Sequence, residues 1–297
     1  RAAVGSGSLS PLLVAADRAV GGVRLVASLP RPGGTTTALV GPSGSGKSLL
    51  AAVAGRLTDP DQGTVLLDGT DLRTLSADAL RHAVAYAFER PALFGATIAD
   101  AVACGPLPEP DLRRALRRAA ADTFTDRLPH GPRTPLPEAP LSGGELQRLG
   151  LARAFTRPTR LLILDDATSS LDTVTAHLVA RALTDTPGTR LTITHRLTTA
   201  AQSDQVVWLD GGRIRGTGPH SVLWRDPAYR AVFGAGAGGD AGAGADTVTD
   251  TGARRRSDVR TDVTGDVRTE LPTDMRTDIH TGIRTDPRVD TGTGAVE

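Results

Sequence analysis

Apolar residues along this chain gather in short runs separated by glycine, proline and polar turns, and the spacing within each run predicts its conformation. Thr36-Thr37-Ala38-Leu39-Val40 is β-branched and apolar, stops at Gly41, and is followed by a glycine-rich stretch and then the alanine- and leucine-rich segment Leu49–Leu57. That order reads as strand, loop and helix. Thr64–Leu67 reads as a strand closed by the Asp68-Gly69 turn, whereas leucines and arginines recur at helical spacing from Asp111 to Ala121. Two buried strands are expected at Leu161–Leu164 and Leu191–Thr194. A hairpin is expected from Gln205–Leu209 and Arg213–Gly216 around Asp210-Gly211-Gly212, with a last helix near Ser221–Phe233. Strands alternating with helices predict an α/β core, with structure beginning near Leu12.

From Gly234 onward the pattern changes, first to a Gly/Ala tract and then to an octad repeat seen at Asp258-Val-Arg-Thr, Asp266-Val-Arg-Thr, Asp274-Met-Arg-Thr and Gly282-Ile-Arg-Thr. One aliphatic residue per unit buries too little surface to offset the entropy of ordering, so residues 234–297 are expected to form a disordered tail. Expansion of a short DNA repeat and a docking role both remain open for it. Residues 1–11 contain glycine and serine and read as a linker. The chain opens on Arg1 and its single methionine is Met275, so it is read as a piece of a longer protein.

Composition narrows the function. The 34 basic and 33 acidic side chains nearly cancel, which gives no field to favour nucleic acid as a partner. Cys104 is the one cysteine and the six histidines stand at no metal-ligand spacing, so neither an internal disulfide nor structural zinc is expected. No apolar run approaches the roughly 18 residues of a membrane span, and the first residues lack the pattern of a signal peptide. Of the 34 basic side chains only Lys47 is lysine. Its survival in a chain that otherwise uses arginine points to a site that a compact ammonium fills and a planar guanidinium does not.

That lysine lies in Gly41-Pro42-Ser43-Gly44-Ser45-Gly46-Lys47-Ser48, the phosphate-loop pattern GxxxxGK[ST], placed between a predicted strand and a predicted helix that takes in Leu49. Backbone N–H groups of such a loop turn inward onto phosphate oxygens, the helix adds its positive dipole end, and the lysine reaches the β and γ phosphates of a nucleotide. Ser48 is then a magnesium ligand. The strand Leu161–Leu164 ends in Asp165, which brings a carboxylate to the sheet edge as a second partner for the metal. Between these two segments lies Leu141-Ser142-Gly143-Gly144-Glu145-Leu146-Gln147-Arg148, where Ser142 and Glu145 form a capping-box pattern at a helix start.

This last segment resembles the LSGGQ signature of ABC ATPases, and with the phosphate loop and the acidic strand it stands in the family's order. Ser169-Ser170-Leu171-Asp172 resembles the family's D-loop, and His195 resembles its switch histidine. Leu93-Phe94-Gly95-Ala96-Thr97-Ile98 resembles the exporter subgroup. The resemblance covers residues 12–233. It implies a P-loop cassette with a largely parallel core sheet, an antiparallel β portion and a helical subdomain near residues 97–157. It further implies Mg-ATP as the ligand and hydrolysis as the reaction. In such proteins the signature serves the ATP held by a second cassette, so a head-to-tail dimer is implied. A transmembrane domain fused upstream and a place on the cytoplasmic face of the cell membrane are implied as well.

The chain departs from the family pattern in its own ATP site. Asp166 stands where most hydrolytic members carry glutamate, and the Q-loop glutamine aligns with Glu89. The carboxylate set back by one methylene, about 1.5 Å, is expected to slow hydrolysis, since a misplacement of about 1 Å costs on the order of a hundredfold. Glu89 still suits a hard cation and is a candidate for both metal and catalytic roles. No aromatic residue precedes Tyr86, so the usual adenine-stacking ring is missing, and residues 134–140 are shorter than the segment exporters carry before the signature. Two assemblies remain open: the degenerate half of a heterodimer and a homodimer with two slow sites. A soluble ABC ATPase without transport and a regulatory module that binds ATP without hydrolysing it are the alternatives; neither a second cassette nor a coiled-coil insertion supports the former.

Overall fold

The computed structural model describes residues 12–20, 23–31 and 33–234, so the stretch 1–11 and the repeat-bearing tail lie outside the described residues. The chain begins with β1 (Leu12–Val20) and β2 (Val23–Arg31), and β3 (Thr36–Val40) leads into α1 (Lys47–Ala54). After β4 (Gln62–Leu67), β5 (Thr70–Asp71) and α2 (Ala77–Ala83) comes β6 (Val84–Phe88). Four helices follow, α3 (Ile98–Ala103), α4 (Glu109–Arg118), α5 (Asp122–Thr125) and α6 (Gly143–Ala154), before β7 (Leu161–Asp165). The last third comprises α7 (Thr173–Thr184), β8 (Thr189–Ile193), α8 (Leu197–Gln202), β9 (Gln205–Asp210), β10 (Arg213–Gly218), α9 (His220–Leu223) and α10 (Pro227–Gly234).

All strands join one mixed sheet of order β5-β4-β1-β2-β10-β9-β3-β8-β7-β6. Strands β9, β3, β8, β7 and β6 pair parallel in succession, whereas β2, β1, β4 and β5 pair antiparallel in succession, and β10 joins the two sets, antiparallel to β9 and in a short parallel pairing with β2. The parallel half is therefore an α/β sheet, and the rest is the antiparallel portion. Each parallel strand is covered on both faces, which explains its continuous apolar run. Alternate residues serve different cores: Leu39, Ile163, Val207 and Leu209 pack with α1 on one face. On the other, Leu162 and Leu164 pack against α6 and α7, while Ala38, Val40 and Trp208 meet Tyr229 of α10.

Three element boundaries differ from expectation for local reasons. Helix α1 starts at Lys47, as expected, but stops short of Leu57 because Arg56 turns left-handed at φ 56°. Helix α4 ends at Arg118 because Ala120 adopts φ 52°. The last helix is two helices, since Pro227 disfavours helical geometry at Asp226 and fits only a first turn. The Asp226 carboxylate accepts the Ala228 N–H at 2.8 Å and starts α10.

Ile163 is fully buried at the centre of β7, between β6 and β8. Ile163→Ala is expected to lower the unfolding free energy by about 2–5 kcal/mol, read as a lower urea midpoint at unchanged slope.

Candidate functional site

The parallel register determines where the motifs meet. Leu39 of β3 pairs with Ile193 of β8, Ile193 with Asp165 of β7, and Asp165 with Phe88 of β6. These four residues form one row at the carboxyl ends of adjacent strands, where ligands of open α/β sheets bind. The segments that leave the row carry Gly41–Ser48, His195, Asp166 and Glu89. An open cleft beyond them is bordered by Gly44, Lys47, Ser48, Glu89, Asp166 and His195, with Leu49 at its wall.

In the glycine loop, Gly46 is the N-cap of α1 at φ 95°, a left-handed geometry that only glycine adopts readily. A Cβ on Gly41 would lie 2.2 Å from the carbonyl oxygen of Leu209, so loop and sheet approach too closely for any side chain there. The loop folds onto its own lysine: Lys47 Nζ donates to the carbonyls of Gly41 and Pro42, both at 2.9 Å. Two of three ammonium N–H bonds are thus committed and one is left for a ligand. The Ser45 hydroxyl is buried without a partner among the described residues, and the first N–H groups of α1 are the usual unsatisfied donors of a helix start. A curled loop of spare donors around a cation fits a polyphosphate.

Ser48 Oγ donates to Asp165 Oδ1 at 3.2 Å, so two of the three predicted metal ligands are side by side. No group of three or more His, Cys, Asp or Glu side chains forms a metal cage among the described residues. A hydroxyl and one carboxylate, with exposed Glu89 on the same cleft, suit magnesium, which draws its remaining oxygens from phosphate and water.

The charges are strained by their surroundings. Burial pushes the Asp165 carboxyl above its usual range, and the negative charge of Glu89 adds to this, while Ser48 and Lys47 oppose it. Burial also raises Asp166, opposed by His195 and reinforced by Asp165 and Glu89. The Lys47 ammonium is lowered by burial, and Asp166 and Asp165 recover part of its charge. Asp166 holds a left-handed backbone at φ 46°, tied by its N–H to the Ile193 carbonyl at 3.3 Å. Its Oδ2 lies 3.5 Å from Nε2 of the half-exposed His195. A raised carboxyl is a more basic carboxylate, which suits a proton acceptor for water.

The signature segment forms its predicted capping box. Ser142 caps α6, its Oγ and N–H contact Glu145 Oε2 at 2.7 and 2.8 Å, and the Glu145 N–H returns to Ser142 Oγ at 3.4 Å. Burial raises the Glu145 carboxyl, but those bonds together with the charges of Arg148 and Arg127 outweigh it and leave it below the usual range. Ser142 and Gly143 are exposed and Leu141 and Gly144 half-buried, yet none of residues 141–145 borders the cleft. Asp172 caps α7 by accepting the Thr175 N–H at 2.9 Å.

Sequence reasoning missed the links between these parts. Arg196 donates to the carbonyls of Ser169 and Leu171 at 3.3 and 2.9 Å and so fastens the segment after β8 to the segment after β7. Gln147 of α6 is buried and bonds to both Glu89 and the Ser169-Ser170 pair. A polar residue on the helix stripe that buries Gly150, Leu151 and Ala154 is the signal that could have drawn notice to it.

Comparison with known proteins agrees with this geometry. The family described as ABC transporter matches residues 27–169. ABC transporter ATP-binding protein RamA of Streptomyces coelicolor is 60% identical over 209 residues, 69% of this chain and 33% of its own length. Mycobactin import ATP-binding/permease protein IrtB of Mycolicibacterium thermoresistibile is 44% identical over 62% of this chain and 33% of its own length. The chain thus spans about a third of these relatives. A structure of a bacterial Atm1-family ABC exporter with ATP bound superposes with a TM-score of 0.72 at 32% identity, over 80% of this chain and 44% of the exporter chain.

The Asp166 shift gives a signed test. A carboxyl raised in the folded state adds stability that is complete below the unfolded value of 3.8 and is lost as pH rises through the folded value, so at neutral pH its buried charge is a cost. Asparagine tolerates the left-handed backbone and carries no charge. Asp166→Asn is expected to raise the Tm of the nucleotide-free protein at pH 7, with the gain shrinking toward pH 4, as measured by calorimetry at both values.

Proposed function

The chain belongs to the ABC transporter family as a nucleotide-binding domain that binds ATP, and on that premise we propose that it is the motor of an exporter-type transporter acting in a head-to-tail pair of cassettes. The observation that carries the pairing is the position of the signature. Its exposed helix start lies outside the cleft of its own chain, so the spare N–H groups of α6 are available to a phosphate held by a second cassette. Each ATP would then lie between the glycine loop of one chain and residues 141–145 of the other.

In this reading the loop N–H groups and Lys47 would hold the phosphates, and Ser48 and Asp165, with Glu89 on the same cleft, would hold magnesium, which when bound would neutralise charge on the phosphate oxygens. Asp166 accepts the proton of the attacking water, and His195, 3.5 Å from it, orients the carboxylate and faces the terminal phosphate. The short Asp166 side chain predicts slow turnover. An intact capping box beside a shortened acid and a charged Glu89 supports a second reading, in which this chain lends its signature to a competent partner while holding one ATP itself.

The exporter-type relatives support a transmembrane domain upstream and a place on the cytoplasmic face of a membrane. The described residues contain no helix long and apolar enough to cross a membrane. Direction is a separate matter, because proteins named for mycobactin import stand beside an exporter among the relatives.

A mixing experiment tests the pairing. A Cβ at Gly143 meets nothing within 4 Å, so Gly143→Asp leaves the fold intact while setting a negative charge where the partner's phosphate would arrive. Wild-type turnover per molecule is expected to rise with protein concentration. Lys47→Ala and Gly143→Asp are each expected to be inactive alone, and their mixture to recover activity through composite sites. Recovery that fails to appear, or turnover independent of concentration, refutes the homodimer; ATP binding without turnover at any concentration supports the degenerate half.

A further inference from the structure

The turn of the β9–β10 hairpin holds the phosphate loop from behind. Asp210 pairs with Arg213, so Gly211 and Gly212 alone make the turn, at φ 54° and 76°. Positive φ at both central residues is the requirement of a type I′ turn, whose strand pairing leaves the N–H of the second central residue spare. Here that N–H belongs to a buried glycine and donates to the Ser45 carbonyl at 3.1 Å. A second contact lies beside it, where Gly41 passes so near the Leu209 carbonyl oxygen that no side chain fits between them. The far side of the turn is fixed as well, since Arg213 pairs with Val26 of β2.

The bond to Ser45 controls a peptide that could otherwise turn over. Gly46 follows Ser45 at φ 95°, and glycine takes φ of either sign at little cost, so the Ser45-Gly46 peptide has two orientations open to it. A trans peptide is rigid and planar, and its C=O and N–H point opposite ways. With the Ser45 carbonyl drawn to Gly212, the Gly46 N–H points away from the hairpin, and Gly46 borders the cleft. Turned over, the same peptide would set a carbonyl oxygen where a phosphate oxygen has to bind. The bond inside the loop, from the Ser45 N–H to the Pro42 carbonyl at 3.2 Å, fixes the preceding peptide and leaves this one to the hairpin.

We propose, on the ATP-binding reading above, that Gly212 is a positioning residue for the nucleotide. Its N–H sets the Ser45-Gly46 peptide before any ligand arrives, in the orientation that aims the Gly46 N–H at a phosphate. The hairpin thereby makes the loop a preformed anion site, and its contribution falls on ATP affinity and leaves the chemical step alone.

Two exchanges separate the bond from the turn. Replacing Gly212 by glycolate puts an ester oxygen where the N–H was and adds no side chain. Gly211→Asn keeps the Gly212 N–H, since asparagine tolerates the left-handed backbone and a Cβ at Gly211 meets nothing within 4 Å. With full-length protein, the measurements are Kd and KM for ATP, kcat, melting temperature, and amide hydrogen exchange at residues 43–48 and at Gly212 with and without ATP. The ester is expected to raise Kd and KM about three- to tenfold, the effect of one ordinary hydrogen bond, with kcat within about twofold and faster exchange at residues 43–48 without ATP. Gly211→Asn is expected to match wild type in affinity and loop exchange. In wild type the Gly212 amide should be protected from exchange already without ATP. An ester variant that melts lower yet binds ATP as wild type does would show a turn that is only structural, and overturns the inference. A Gly212 amide that gains protection only when ATP is added overturns it too. Both results leave ATP binding standing, whereas a wild type that binds no ATP removes that reading and the inference together.

Discussion

The register of four parallel strands is the constraint on which the site depends. Because Leu39, Ile193, Asp165 and Phe88 are paired in one row, the residues just beyond them emerge together, and the loop, the acid, the histidine and Glu89 need no long excursion to meet. A slip of one residue in β7 would turn Leu161 and Ile163 from the α1 core to the opposite core and move Asp165 off Ser48. The two buried faces hold the register, so the apolar packing of the sheet is also what aligns the chemistry.

That alignment gathers charges that folding alone would keep apart. Asp165, Asp166 and Glu89 press on one another, and burial destabilises the charge on Lys47 as well as on the two aspartates. The left-handed turn at Asp166 adds to this local cost. Such stress is what a bound polyphosphate and a cation held with it would relieve, which would make ligand binding and local stability two sides of one balance. The polar links through Gln147 and Arg196 hold the stressed segment in place from two directions.

Much of this is legible in the sequence. The strand Thr36–Val40, the strands at 161 and 191 and the hairpin around Gly211 are where periodicity put them, because each is a short apolar run ended by a turn residue. The β1–β2 pair carries little strand signal because Ala15-Ala16-Asp17-Arg18 lacks the β-branched alternation that marks a strand. Helix ends at Arg56 and Ala120 depend on left-handed residues that no propensity scale anticipates. The phosphate loop, Asp165 and the capping box could be read because their chemistry is local in sequence. The Gln147 network could not, since it joins residues 22, 23 and 58 positions apart and exists only once the sheet has folded.

One feature of the loop reaches beyond binding. Lys47 is the single lysine among 34 basic side chains, and every arginine stays charged across the range that proteins survive. Burial draws its ammonium downward while two aspartates hold it up. Above the range in which histidines discharge, the alkaline titration of cationic side chains is therefore confined to one atom at the centre of the nucleotide loop. Base would switch off that charge and leave the arginine-coated surface as it was.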